Sequence, residues 1–256
     1  MLVLCWVKAF RTKRLPRIGI FYNEVFPNLV HLANPSLACS PTSYIPSSIY
    51  KNSLLFQNPD RLSGNNLIYG RHNGVEQGFS WLHAEYRTKE NVNGEIITKW
   101  HDIFKGIFFY ADFNKDFHGT ILVVPDKQQS FLGQTTGRII QKISWRGPGK
   151  MAVMENTEFE KRFAVFATDQ IEARYVLTPQ IMQNFVSLAH ADFIDELSIS
   201  FHCSKMFIAF HTRKSPFLYS GQDLTEHFVY EMYRKILFFT SIADKMQLDV
   251  RIWTKY

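Results

Sequence analysis

The spacing of apolar residues changes twice along this chain, and each change predicts a different kind of structure. Residues 20–60 are cut by Pro27, Pro35, Pro41, Pro46 and Pro59, which predicts a short helix around 18–32, then an irregular extended stretch, and no long helix. From 66 to 145 the chain runs in short β-prone blocks, "NLIYG", "VEQGFSWLHAEYRT", "GEIITKWHDIFKGIFFYADF" and "GTILVV", separated by turn residues. That pattern predicts an antiparallel meander, with "NVNGE" (91–95) as a hairpin turn because Asn93-Gly94 accepts positive φ cheaply.

After residue 150 strand and helix signals mix. "RFAVFATD" and "EARYVL" read as strands, with Asp169 in the turn between them. Thr178-Pro179 reads as an N-cap and first helical residue, followed by Ile181, Phe185, Leu188 and Ala189 at helical spacing. "LSISF" and "MFIAF" flank "HCSK" as a four-residue hairpin loop. "LTEHFVYEMYRKILFFTSIADKM" (224–246) is an amphipathic helix with Phe228, Met232, Ile236 and Phe239 on one side. The expected fold class is α+β: an antiparallel β-rich half, then a mixed strand/helix half with an amphipathic C-terminal helix. The expected division is a basic membrane-proximal segment at 1–45, a β-rich region at 46–147 and an α+β region at 148–256. The last two either share one core or part near 147–150, at "GPGK".

Composition refines this picture at two points. Twenty-three Phe and eleven Tyr against thirteen Gly suit sheets faced with rings, since flat rings pack well on a pleated surface. The net charge of +6 suggests an anionic partner until it is located. Lys8, Arg11, Lys13, Arg14 and Arg17 precede the first acid, Glu24, and leave 24 basic against 23 acidic residues beyond them, a net +1. A nucleic-acid binder carries its charge on the fold itself, because phosphate neutralisation supplies much of its affinity, so nucleic acid is not an expected partner. Cys5, Cys39 and Cys203 are odd in number and far apart, which fits neither a disulfide framework nor a zinc site.

The chain carries no local signature of catalysis. In "ADFNKDFHG" Asp112, Asn114 and Asp116 match the first oxygen ligands of a calcium loop, but Phe117 stands where glycine is needed and Val123 where a glutamate should close the site. His83, His101, His190, His202, His211 and His227 form no HExxH and no pair four apart. GxSxG, GxGxxG and the phosphate-binding GxxxxGK[ST] are absent, and Cys203 beside His202 on a strand points to the opposite face. Glu155, Glu158, Glu160, Asp169 and Glu172 raise a paired-carboxylate site, but Lys161, Arg162 and Arg174 among them favour surface charge pairs. No catalytic residue, cofactor or metal ligand is assigned.

"GFSWLHAEY", "FKGIFFYADFNKDFHGTILVVPD", "ENTEFEKRFAVFATDQIEARYVLTPQIMQNF" and "LDVRIWTKY" together resemble the bacterial family called domain of unknown function 3137, in the same order over about residues 45–256. The resemblance implies no reaction or ligand. It does imply a topology, in which hydrophobic membrane segments precede a body that sits in the cytoplasm. This chain shows only "MLVLCWV" before its basic cluster, about a third of what a span of roughly 20 residues needs. A basic cluster after a bilayer helix is what the positive-inside rule places on the cytoplasmic flank. Three readings follow: a start codon placed too late, a truncated gene, or a member that touches anionic lipid through this basic arm.

The function expected is therefore a non-catalytic protein- or lipid-binding module at the cytoplasmic face of a bacterial inner membrane. Its expected partners are the membrane surface or a missing transmembrane anchor, with Lys8, Arg11, Lys13, Arg14 and Arg17 as the membrane-proximal arm. The aromatic meander, with Trp81, Trp100, Phe104, Phe108, Phe109 and Tyr110, is either a binding face or core. The alternative function is a hydrolase with carboxylates and histidines gathered from different strands.

Overall fold

The computed structural model describes residues 17–92, 95–113, 116–126, 149–221, 224–246 and 248. Lys8, Arg11, Lys13 and Arg14, the Asn93-Gly94 turn and the start of the expected boundary at 147–150 lie outside the described residues.

Apolar runs that are buried on both faces force the chain into one wide sheet. Nine strands pair antiparallel throughout: β1 (Leu37–Ser40), β2 (Arg61–His72), β3 (Val75–Val92), β4 (Glu95–Asp112), β5 (Ile121–Pro125), β6 (Lys150–Ala152), β7 (Phe163–Ala167), β8 (Glu196–His202) and β9 (Lys205–His211). Their spatial order is β1-β2-β3-β4-β9-β8-β5-β7-β6. The meander is as read from the pattern through β4, but β5 is not its next strand. The β8-β9 hairpin, in which the five central residues of each strand are buried, stands between them. Strands buried on both faces belong at the centre of a sheet, and this pair joins the β-rich half to the mixed half.

One sheet face carries the helices. These are α1 (Arg17–Ile20), continued by a π turn (Phe21–Val25) into α2 (Phe26–Ala33), then α4 (Thr157–Glu160), α5 (Gln170–Val176), α6 (Pro179–Ala189), α7 (Glu226–Thr240) and α8 (Ile242–Lys245), while α3 (Ser47–Asn52) covers the opposite face. Phe239 of α7 packs on Phe79 and Phe210, and Phe26 packs on Phe217. The other face is covered by Ile45, Tyr50 and Leu55, whose segment is pinned by two buried serines: Ser80 Oγ accepts from Ile45 N (3.1 Å) and Ser200 Oγ donates to Ser53 O (2.5 Å).

Three expectations need correction, but the helix expected around 18–32 is present, as a helical run from Arg17 to Ala33 that contains Pro27. The π turn widens the helix just before Pro27, with Phe26 N donating to Phe21 O, and the Asn28 side chain donates to Glu24 O (2.7 Å). A proline's missing N–H and its ring's clash with the carbonyl four residues earlier are commonly accommodated at such a bulge. "EARYVL" is helix α5, not a strand, because the Asp169 side chain caps it by accepting from Ile171 N (2.8 Å) and Glu172 N (3.1 Å). Asp169 is thus an N-cap and not a strand turn. The β8-β9 loop has two residues instead of four: His202 pairs with Lys205, and Cys203 and Ser204 both take positive φ (49° and 61°), as a type I′ hairpin requires.

The seam between the two halves is tight at Gly106 of β4. Its φ is 156°, and a Cβ there would lie 1.9 Å from Phe210 O of β9. Gly106→Ala is expected to cost at least about 2 kcal/mol in urea unfolding, more than Gly19→Ala in α1, whose Cβ meets nothing within 4 Å. Equal costs would mean that the seam has slack.

Candidate functional site

β3 and β4 are longer than the sheet that holds them. They pair from Gln77↔Ala111 to Val92↔Glu95, but β2 accompanies β3 only as far as the Arg61↔Glu85 pair, and β9 accompanies β4 only from Gly106. The remainder is a two-stranded ribbon. Every residue from Glu95 to Trp100 is exposed, including Ile96 (70%), Ile97 (40%) and Trp100 (42%). A hairpin alone in water is marginal, so cross-strand contacts matter here. His101 stacks on Tyr86 with centroids 4.9 Å apart, its Nε2 hydrogen-bonds Thr88 Oγ1 (2.8 Å), and Lys99 Nζ pairs with Glu90 at 2.5 Å.

A β-bulge marks the root of the ribbon: the register shifts between Ala84↔Phe104 and Glu85↔Asp102, leaving Ile103 as the extra residue. On the helix-bearing face it gathers a polar cluster from three strands. His83 Nε2 lies 2.7 Å from Asp102 Oδ1, and His83 Nδ1 lies 3.8 Å from Glu85 Oε2. Arg61 holds the same Glu85 oxygen through Nε (2.7 Å) and a terminal nitrogen (2.6 Å), while its guanidinium lies 4.3 Å from the centroid of Trp100. Glu85 is only 7% exposed, so its charge depends on these partners.

The donor atoms of His83, Glu85 and Asp102 lie within 4.8 Å of one another, a spacing that suits a divalent cation. Arg61 contends for that role, since its positive charge already occupies the Glu85 oxygen. As folded, the cluster is an ion-pair and hydrogen-bond network that braces the ribbon's base.

The other residues singled out in the sequence are scattered. Phe104, Phe108, Phe109 and Tyr110 are buried, Trp81 is half-buried, and of that set only Trp100 is exposed; the rings of the meander are core rather than a shared face. The carboxylates of 155–172 do not converge on a cleft. Glu160 accepts from Met154 N (2.7 Å), Asp169 caps α5, and buried Glu172 accepts from His118 N and Gly119 N (3.2 Å each). These three hold backbone N–H groups, a different use from the surface charge pairs expected. Arg162 meets His190 Nε2 at 2.7 Å, and His190 Nδ1 lies 2.8 Å from Val186 O, which fixes Nδ1 as the protonated nitrogen. Arg17 opens α1, which is anchored where Tyr22 Oη donates to Phe217 O and accepts from Tyr219 N.

Burial explains the displaced titrations. It raises Tyr50, lifts the Cys39 thiol to about 12, and lowers Lys245. His202 is lowered too, by burial that outweighs its contact with the Gly119 backbone; its Nδ1 lies 3.0 Å from Thr120 Oγ1. An open cleft of about 710 Å³ lies between α7 and the loops around 192–195 and 213–218. It sets Asp192, Asp195 and Glu231 against Arg213, Lys214 and Lys235, a balance that selects no ligand charge.

The arrangement defines an α+β protein with one antiparallel sheet, a helical layer and a projecting ribbon. The sequence pattern of the family described as "Protein of unknown function (DUF3137)" matches residues 102–248, more than half of the chain, and the chain belongs to that family. No curated protein matches it. A solved structure, that of the mycobacterial trehalose monomycolate transport factor A, TtfA, is similar at 9% identity and a TM-score of 0.41, over 87% of this chain and 96% of that one. No helix among the described residues is long and apolar enough to cross a membrane.

Arg61→Ala leaves a buried carboxylate without its strongest partner and is expected to cost about 1–3 kcal/mol in urea unfolding. Adding Glu85→Gln should recover part of that loss, and strict additivity of the two changes would show that the pair is not coupled. His202 binds its proton more weakly folded than unfolded, so stability should fall as pH drops below the ordinary value of 6.5, until the folded group also titrates. In His202→Gln that part of the slope should vanish; parallel pH profiles for the two proteins would exclude His202 as its source.

Proposed function

We propose that this chain is a non-catalytic binding module that works at the cytoplasmic face of a bacterial inner membrane and takes a protein partner on its β3-β4 ribbon. The observation that carries the reading is the ribbon itself. It extends past the sheet on both sides and exposes Ile96, Ile97 and Trp100, on a base braced by Arg61 and Glu85. Exposed apolar side chains gathered on a projecting ribbon suit a docking surface. The basic arm supports the membrane half of the proposal. Five cations with no acid among them suit an anionic lipid surface, at about 1 kcal/mol each. The arm runs into α1, which is anchored on the body through Tyr22, so lipid attachment would hold the folded body near the bilayer.

Co-sedimentation with vesicles tests the arm. The full chain should pellet with vesicles containing phosphatidylglycerol and stay in solution with phosphatidylcholine alone. Exchanging Lys8, Arg11, Lys13, Arg14 and Arg17 for glutamine should weaken binding at least about 100-fold. A photo-crosslinking residue at position 96 tests the ribbon in cells, where a discrete protein adduct is expected. Equal binding to both vesicle types would remove the membrane half, and the lack of any adduct would remove the docking half.

A further inference from the structure

We propose that the root of the ribbon is a metal site, in which His83, Glu85 and Asp102 hold one divalent ion of the zinc type. The inference is independent of the docking role given to the exposed side chains further along the ribbon. It begins with the bulge. Continued from Ala84↔Phe104, an unbroken register would set Asp102 opposite Tyr86, on the other face of the ribbon; the extra residue at Ile103 sets it opposite Glu85, on the face of His83. The result is an imidazole and two carboxylates whose donor atoms all lie within 4.8 Å of one another.

His83 Nε2 and Asp102 Oδ1 are 2.7 Å apart, close to the separation of two ligands on one ion with bonds of about 2.0–2.2 Å. With the ion at Nε2, the ring proton belongs on Nδ1, which lies 3.8 Å from Glu85 Oε2. Glu85 supplies the third donor. Arg61 is compatible with this role, because both of its contacts fall on Oε2 and Oε1 can take the ion; a ligating carboxylate that is itself hydrogen-bonded is the usual arrangement around a metal. Two carboxylates against one guanidinium leave one negative charge over, which attracts a further cation. The His83 and Asp102 side chains are 22% and 64% exposed, so an ion reaches them from water. A second observation points the same way. Three protein donors leave a position on the ion for water or an anion, and Trp81, whose ring centroid lies 6.2 Å from that of His83 on the same strand face, has its Nε1–H buried without a hydrogen-bond partner. A donor of that kind suits a metal-bound oxygen. The imidazole selects the ion, since Mg2+ and Ca2+ prefer sites built of oxygen alone.

Isothermal titration of the untagged full chain with ZnCl2 should show saturable binding of one ion per chain, at a site that excess Mg2+ does not fill. His83→Ala and Asp102→Asn should each weaken that binding at least about tenfold, with circular dichroism unchanged. Asp102→Glu, which keeps the carboxylate, should bind more tightly than Asp102→Asn, a difference that a merely structural role would not produce. Replacing Cys5, Cys39 and Cys203 by serine should leave the titration as it was. X-ray absorption of the zinc-loaded chain should show one imidazole nitrogen with oxygen ligands and no sulfur. The absence of saturable binding overturns the inference, as does binding that His83→Ala and Asp102→Asn leave intact, binding through sulfur, or a site that Mg2+ fills equally well. None of these outcomes bears on the vesicle and photo-crosslinking results, so the metal site and the docking function stand or fall separately.

Discussion

The contact between β4 and β9 is the constraint on which the rest of the structure depends. The sheet is continuous only because Gly106 lets the backbone of β4 come against Phe210 O, where any Cβ would collide. From that point β9 and β8 carry the sheet on to β5, β7 and β6, and Phe210 brings α7 down through Phe239. The same point ends the pairing of β4 on that side. Thr212 N donates to Lys105 O (3.2 Å), and the chain then turns away from the sheet. One close approach thus joins the two halves, and from there to its start β4 pairs with β3 and with no other strand among the described residues.

Bulge and ribbon are linked through that geometry. Past Gly106 toward its start, β4 keeps β3 alone among the described residues, and a two-stranded ribbon twists more strongly than a wide sheet. The extra residue at Ile103 takes up the change of twist and turns Asp102 onto the face of His83 and Glu85. Arg61, from the last paired position of β2, closes the cluster and lies over Trp100. An ion pair whose arginine is half exposed gives little net stability. Its value here is positional, since it ties three strands together where the sheet narrows to two.

Much of this was legible in the sequence, and the exceptions have physical causes. The hairpin expected from "NVNGE" predicts which residues of β3 and β4 oppose each other, and the observed pairs from Val92↔Glu95 to Glu85↔Asp102 follow from that expectation. The bulge does not, because nothing in "WHDIFKG" marks one residue as extra. Without it His83 and Asp102 are not expected to meet, although His83 and Glu85, two apart on a strand, share a face from the start. "EARYVL" alternates like a strand, and the deciding signal was Asp169 followed three residues later by Glu172, the spacing of a helix start. The place of β5 was hidden for another reason. Only the burial of β8 and β9 on both faces reveals that they must be inserted between it and β4.

What the fold does with its aromatic residues bears on function. Most of its rings close the two cores, with Phe79, Phe210, Phe217 and Phe239 under the helices and Tyr50, Phe56, Phe104 and Phe108 on the other face. A sheet that buries rings this thoroughly has little reason to expose Ile96, Ile97 and Trp100 along its longest hairpin. Stability alone would be served as well by a shorter, polar turn after the bulge. On the proposed docking role, the length of β3 and β4 serves what meets the ribbon rather than what the ribbon contributes to folding. The closed network at its root gives that projection a fixed direction from the sheet.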